Sequence, residues 1–213
     1  MNMQLSFKHG LILGTFCLGF GTLLAMTNDF TVVDIAKRAV EDRQNTLSQV
    51  VPDEMHDNNL VEDTLTLKNS EGNDVTIYRA TKEGKLTGVA YEISTNSGYS
   101  GLIRLMMGLT PDGKIIGVRV LSHRETPGLG DKIEEKKGDW ILKFSGLSLD
   151  NPPLEKWKVK KDGGQFDQFA GATITPRAVV GAIRSGLQFF DANKTKLLEP
   201  AAAKAPSEGG NAK

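Results

Sequence analysis

A threonine hydroxyl beside a proline, Thr175-Pro176, follows Ala170-Gly171-Ala172-Thr173-Ile174 and precedes Arg177 and an apolar-periodic run. Proline suits the first position of a helix, because its φ is already helical and its missing N–H has no partner to lose there. Thr175 then falls at the N-cap, ahead of a turn of backbone N–H groups without intrahelical acceptors. Such a helix start attracts anions, phosphate above all. A hydroxyl placed there is a nucleophile beside a phosphate site. Gly171 and Ala172 are small enough to let a bulky group approach the backbone. Thr173 would donate a second hydrogen bond to a phosphate, or stabilise its own loop. An ordinary N-cap threonine satisfies the same pattern, so these residues alone leave both readings open.

A second stretch, Ser122-His123-Arg124-Glu125-Thr126-Pro127-Gly128-Leu129-Gly130, has the composition of a loop shaped around a ligand. It also reads as a strand-to-helix connector with glycines for turn geometry. It is not a dinucleotide fingerprint, because the third glycine is absent and no strand-turn-helix opening follows. Other chemistry is scarce. The single cysteine, Cys17, lies in an apolar segment, which excludes an intrachain disulfide and a self-contained Cys-ligated iron–sulfur cluster. His9, His56 and His123 are far apart and lack metal-site spacing, and His123 reads as a surface or loop histidine. No nucleophile elbow is present. Trp140 and Trp157 read as core residues rather than cofactor stackers. Lysine plus arginine balance aspartate plus glutamate, 26 against 26, so nothing in the charge calls for nucleic acid. Electron transfer by this chain would need an organic cofactor.

The elements that must position these residues follow from periodicity. Gly10 to Met26 carries no charge and is about as long as the shortest bilayer-spanning helices. Small residues at Gly10 and Gly14, and again at Gly21 and Ala25, suit close packing on other helices in lipid, or reflect the ordinary frequency of glycine in such segments. From Thr31 to Val50, apolar residues at Val32, Ala36, Ala39, Val40, Leu47 and Val50 have helical spacing and predict a packed face, with Val51-Pro52 ending the helix. Strands are expected at 65–67, 75–78, 86–93, 102–109 and 115–121. Thr110-Pro111-Asp112-Gly113 suits a tight hairpin between the last two. A short helix is expected over 139–144. Behind Thr175, Val179, Ile183, Leu187 and Phe190 form one face of a helix, with Arg177, Arg184 and Gln188 opposite. In 213 residues with 23 glycines, the fold class is α+β: an N-terminal transmembrane helix, then a mainly antiparallel sheet with packed helices. The end of the chain, 198–213, is small and polar and is expected to be disordered.

Asp167-Gln168-Phe169-Ala170-Gly171-Ala172-Thr173-Ile174-Thr175 resembles the flavinylation motif of the FMN-binding domain family. In that family a flavin transferase moves FMN from FAD onto the last threonine or serine as a phosphoester. The family usually has Ser, Thr or Gly where Ala170 stands. Glu125-Thr126-Pro127-Gly128-Leu129-Gly130 is a run typical of the same domain. Arg43-Gln44-Asn45-Thr46-Leu47-Ser48-Gln49-Val50-Val51-Pro52, after an apolar segment, is a third match. Together they are similar to the G subunits of the Rnf (Rsx) ion-translocating electron transport complexes, relatives of the C subunits of sodium-pumping NADH:quinone oxidoreductases.

The resemblance implies one covalent FMN per chain, on Thr175, with Thr173, Ala172 and Gly171 around its phosphate. It lays the loop against the flavin: Thr126 at the ring edge, Leu129 over the ring face, Gly130 in the loop, and Glu125 orienting the loop or touching ribityl hydroxyls. It implies a redox subunit with no side-chain catalysis of its own and no metal, in a complex coupling ferredoxin and NAD chemistry to ion movement. The implied partners are the other membrane and peripheral subunits, a flavin transferase and membrane lipid. The implied arrangement is a cytoplasmic 1–9, a transmembrane helix 10–27, a juxtamembrane helix 28–52 and a periplasmic domain 53–197 at a bacterial inner membrane. The charges do not orient it: Lys8 precedes the span, while Lys37, Arg38 and Arg43 follow it, and large domains cross largely regardless of charge. Two other readings remain open: a stand-alone anchored flavin reductase, and a non-redox anchored binding module in which Thr175 is a plain helix cap.

Overall fold

A computed structural model describes residues 3–69 and 71–199. The expected polar tail therefore lies, from residue 200 on, outside the described residues. The chain divides into two units, 1–43 and 44–213. Helix α1 (Met3–Val50) runs through the first unit and ends in the second.

Within the first unit, Lys8–Val32 is long and apolar enough to cross a membrane. Its threonines do not leave hydroxyls unsatisfied. Thr15, Thr22, Thr27 and Thr31 each donate to the carbonyl four residues back, at 2.8–2.9 Å. Among its described side chains, the stripe expected between Thr31 and Val50 is realised at its end; the side chains of Ala36 and Ala39 lie outside the described ones. Leu47 and Val50 are buried, whereas Val32 and Val40 are exposed. Helical periodicity identifies a face but not what covers it.

The second unit is built on a five-stranded antiparallel meander, β1 (Thr64–Lys68), β2 (Asp74–Lys82), β3 (Lys85–Gly98), β4 (Gly101–Leu109) and β5 (Ile115–Ser122), in that spatial order. Successive side chains alternate between two cores. Val89, Tyr91 and Ile93 of β3 and Ile103, Leu105 and Met107 of β4 face the larger one, with Val179, Ile183, Leu187 and Phe190 of α2 (Ile174–Leu198). Ala90 and Met106 face the smaller one, with Leu47, Val50, Val51 and Leu60. Covering on both faces explains why β4 reads as a near-continuous apolar run rather than a strict alternation.

Close approach is needed on each face. A Cβ on Gly186 of α2 would stand 2.7 Å from Met107 Cε, and the Tyr91 hydroxyl donates to Gly186 O at 2.8 Å. A Cβ on Gly108 of β4 would collide with Val50 O, so the end of α1 sits directly on the strand. At the far end of α2, Arg79 of β2 donates to Glu199 O at 2.8 Å.

Between β5 and α2 the chain runs through 3-10 turns, including Trp140–Phe144, held by an aromatic cluster. Phe144 stacks on Phe166 at 4.8 Å and on Trp157 at 6.2 Å, and Trp140 meets Phe169 edge-on at 5.2 Å. The indole N–H of Trp140 donates to Asp167 O at 2.8 Å. Both tryptophans are therefore core, and they deliver residues 167–173 to the start of α2.

Gly108→Ala is expected to force β4 and the end of α1 apart and to cost about 1–3 kcal/mol, as overpacking does. A thermal melt of the full-length chain in detergent checks this; a melting temperature equal to wild type would mean that the contact yields freely.

Candidate functional site

Helix α2 begins earlier than the proline suggests. Thr173, not Thr175, is the N-cap, and the first intrahelical bond runs from Arg177 N to Thr173 O at 3.3 Å. Thr175 is thus the second helical residue and Pro176 the third. The physical reason is that every position in a first helical turn lacks an N–H acceptor, so proline marks the turn rather than its opening residue. No side chain caps this helix. The Thr175 hydroxyl does not sit beside the helix N–H groups as expected of an N-cap. It points into the domain.

There it donates to Oε2 of Glu125, and both residues are buried, at 1% and 4% exposure. The two are 50 residues apart in the chain. Glu125 is met from a third place as well. Ser100 N donates to its Oε1 at 3.0 Å and Tyr99 N to its Oε2 at 3.3 Å, from the turn joining β3 to β4. A buried carboxylate requires such donors. The Glu125 main chain is held too: its N–H donates to His123 Nδ1 at 3.0 Å, and His123 Nε2 lies 2.8 Å from Glu134 Oε1. Because Nδ1 accepts, the ring proton belongs on Nε2, donated to Glu134. His123 is a loop residue as expected, but a largely buried one that braces its neighbour.

Two glycines border Glu125. A Cβ on Gly130 would lie 2.8 Å from both Glu125 Cβ and Thr175 Oγ1, and one on Gly98 would lie 2.8 Å from Glu125 Oε1. The loop closes on itself through Leu129 N and Gly130 N, both donating to Thr126 O at 3.1 Å. Asp131, next in the chain, is held below the usual carboxylate range by the Gly128 backbone N–H and by Lys137, 3.2 Å away.

The structure therefore brings Thr175, Glu125 and Gly130 together. Gly171, at φ +80°, comes against Leu129, whose Cδ2 lies 3.6 Å from the place of a Gly171 Cβ. Leu129 and Ile174, next in the chain to Gly130 and Thr175, remain exposed, at 41% and 43%. Thr126 is exposed, Ala172 and Thr173 are partly so, and Ala172 N donates to Phe169 O at 3.1 Å. None of these three touches the Thr175 hydroxyl through a hydrogen bond. Asp167, the first residue of the motif, is clamped by Lys160 at 2.5 Å and Lys143 at 3.7 Å; these lysines, Lys160 first, hold its carboxyl below the usual range. Sequence reasoning missed the Gly98–Gly101 turn as a source of donors. Its Gly-Tyr-Ser-Gly composition signals a turn between strands but not what the turn faces.

The residues of this site fall within a match to known proteins. A family profile described as FMN-binding domain matches residues 98–188, from the donor turn into α2. A second, described as RnfG N-terminal region, matches residues 1–50. A Cereibacter sphaeroides protein, named as the G subunit of an ion-translocating oxidoreductase complex, is 51% identical over 191 residues, covering 90% of this chain and 87% of that protein. A protein of the same name from Shewanella piezotolerans is 44% identical over 206 residues, covering 94% and 97%. Among solved structures, the C subunit of the Na(+)-translocating NADH-quinone reductase from Parabacteroides distasonis aligns at a TM-score of 0.44 with 18% identity, covering 67% of this chain and 69% of the other, a likeness too loose to argue from.

Gly130→Ala should separate Glu125 from Thr175 and cost about 1–3 kcal/mol, since the added methyl has only packed atoms around it. Hydrogen exchange at the Tyr99 and Ser100 amides is the local measurement: exchange at the wild-type rate would show that the carboxylate had not moved.

Proposed function

The chain belongs to the family of G subunits of ion-translocating oxidoreductase complexes, and from that membership we propose that it is a membrane-anchored electron-transfer protein with FMN held as a phosphoester on Thr175. The observation that carries the reading is the state of the Thr175 hydroxyl. It is a buried oxygen held in one direction by a buried carboxylate, within the segment that matches the FMN-binding domain.

The residues present fit such a group. Gly171 leaves the backbone bare and exposed beside the attachment point. Leu129 and Ile174 offer exposed apolar surface of the kind a flat aromatic ring covers. Thr126 lies in the exposed part of the same loop, available to a polar ring edge. Bound FMN supplies redox chemistry that no side chain of this chain performs. The chain's own contribution is to fix the cofactor. Linkage through a side-chain oxygen prevents its loss, and α2, packed along one face on the sheet, keeps that oxygen in place. Because Thr175 is buried, attachment requires the exposed part of the neighbouring loop, 126–129, to yield while Glu125 keeps its contacts, and the flavin transferase is the partner that meets the chain in that state.

In this reading 10–27 spans the membrane, 28–52 continues the helix, 53–197 is the flavin domain on the periplasmic side, and 1–9 is cytoplasmic. The helix Lys8–Val32 supports an anchor by its length and composition. The names of the relatives support the other subunits of an ion-translocating complex as partners, with electron transfer between them coupled to ion movement.

Denaturing gels of the full-length chain, made together with a flavin transferase, test the assignment. The wild-type band should fluoresce as flavin, and Thr175→Ala should be dark. Mass spectrometry of the tryptic peptide ending at Arg177 should locate the added FMN. A fluorescent Thr175→Ala band would move the bond to another residue.

A further inference from the structure

Holding a hydroxyl still does not require a buried carboxylate; a carbonyl would serve, as it does for each threonine of the membrane-length helix. The site instead places an acid side chain against the one oxygen to be esterified. We infer that Glu125 is the general base of that esterification, so that the acceptor protein, rather than only its modifying enzyme, supplies the group that activates Thr175. The inference rests on the reading of Thr175 as the attachment point.

A threonine hydroxyl is a weak nucleophile until an adjacent base takes its proton. The geometric requirement is a base within hydrogen-bond reach of that proton. Here the O–H already donates to Glu125 Oε2, so the hydrogen bond points along the path of proton transfer. The base is oriented by independent contacts: Ser100 N on Oε1, Tyr99 N on Oε2, and the His123–Glu134 pair behind its main chain. Burial keeps water from competing for either partner. Gly98 and Gly130 exclude any side chain from the space the carboxylate fills.

The donor is a flavin dinucleotide held by the transferase. Thr175 Oγ1 attacks the phosphorus of its FMN half. The Oγ1–P bond forms as the pyrophosphate P–O bond breaks, and the electron pair leaves with AMP. The hydroxyl proton passes to Glu125 and from there to solvent.

The test uses the full-length chain in detergent, purified flavin transferase and FAD, with covalent flavin followed by in-gel fluorescence over time. Glu125→Gln keeps the size of the side chain, its carbonyl can still accept from Ser100 N, and its amide can donate to Thr175, but it cannot take the hydroxyl proton. The expected result is an initial rate reduced about 100-fold or more, in the range a positioned general base contributes. The ratio of wild-type to variant rate should shrink as pH rises, because hydroxide replaces the missing base; a merely structural role would leave that ratio flat. A Glu125→Gln rate within about threefold of wild type, or above it, overturns the inference. Glu125→Asp is the second variant, retaining the charge but withdrawing it by one methylene. If Glu125→Gln does not fold, a folded Glu125→Asp that reacts at the wild-type rate overturns the inference, and one that is slowed supports it. Wild type that gains no flavin on Thr175 sinks the reading of the site itself. Wild type that gains it while Glu125→Gln gains it equally fast sinks only the base.

Discussion

A carboxylate removed from water must be surrounded by donors, and Glu125 imposes that demand on three distant parts of the chain. The turn after β3 supplies two amide N–H groups, the first turn of α2 supplies a hydroxyl, and the loop after β5 supplies the acid itself. Gly98 and Gly130 border it, and a Cβ on either would lie 2.8 Å from an atom of Glu125. The junction of sheet, loop and helix is thus organised around one charge. Removing one partner leaves the others with an unsatisfied buried group, which is the costly way to break such an arrangement.

The remainder of the domain supplies the rigidity this demands. The sheet is covered on both faces, by α2 on one side and by residues of the 47–60 segment on the other. The aromatic cluster of Trp140, Phe144, Trp157 and Phe166 stands in for regular structure between β5 and α2. Short 3-10 turns bury little apolar surface by themselves, so the cluster determines where Asp167 and the residues after it emerge. Asp167 is held by two lysines and by the Trp140 indole through its carbonyl, and Phe169 packs on the same indole before the chain reaches Thr175.

Much of this was legible in local pattern. The strands, the hairpin at 110–113, the short helix near Trp140 and the buried face of α2 all follow from spacing, because spacing is a local property. What depended on long-range contact was not legible. The pairing of Glu125 with Thr175 joins residues whose neighbours say nothing of each other. Pro176 misled by two positions, since its chemistry is tolerated throughout a first turn. The stripe from Val32 to Val50 showed a face, yet of its described side chains Leu47 and Val50 found a core to enter while Val32 and Val40 did not. His123 had the composition of a loop residue and turned out to steady the acid two residues on.

Helix α2 stops at Leu198, where Arg79 donates to Glu199 O. Counted along the axis of α2, that point is roughly 35 Å from Thr175, at 1.5 Å per residue. A purification handle or fluorophore fused beyond residue 199 therefore starts at the other end of α2 from Thr175. Labelling at that end leaves the Thr175–Glu125 junction untouched, whereas insertion between β3 and β4 would strike the donors of Glu125 directly.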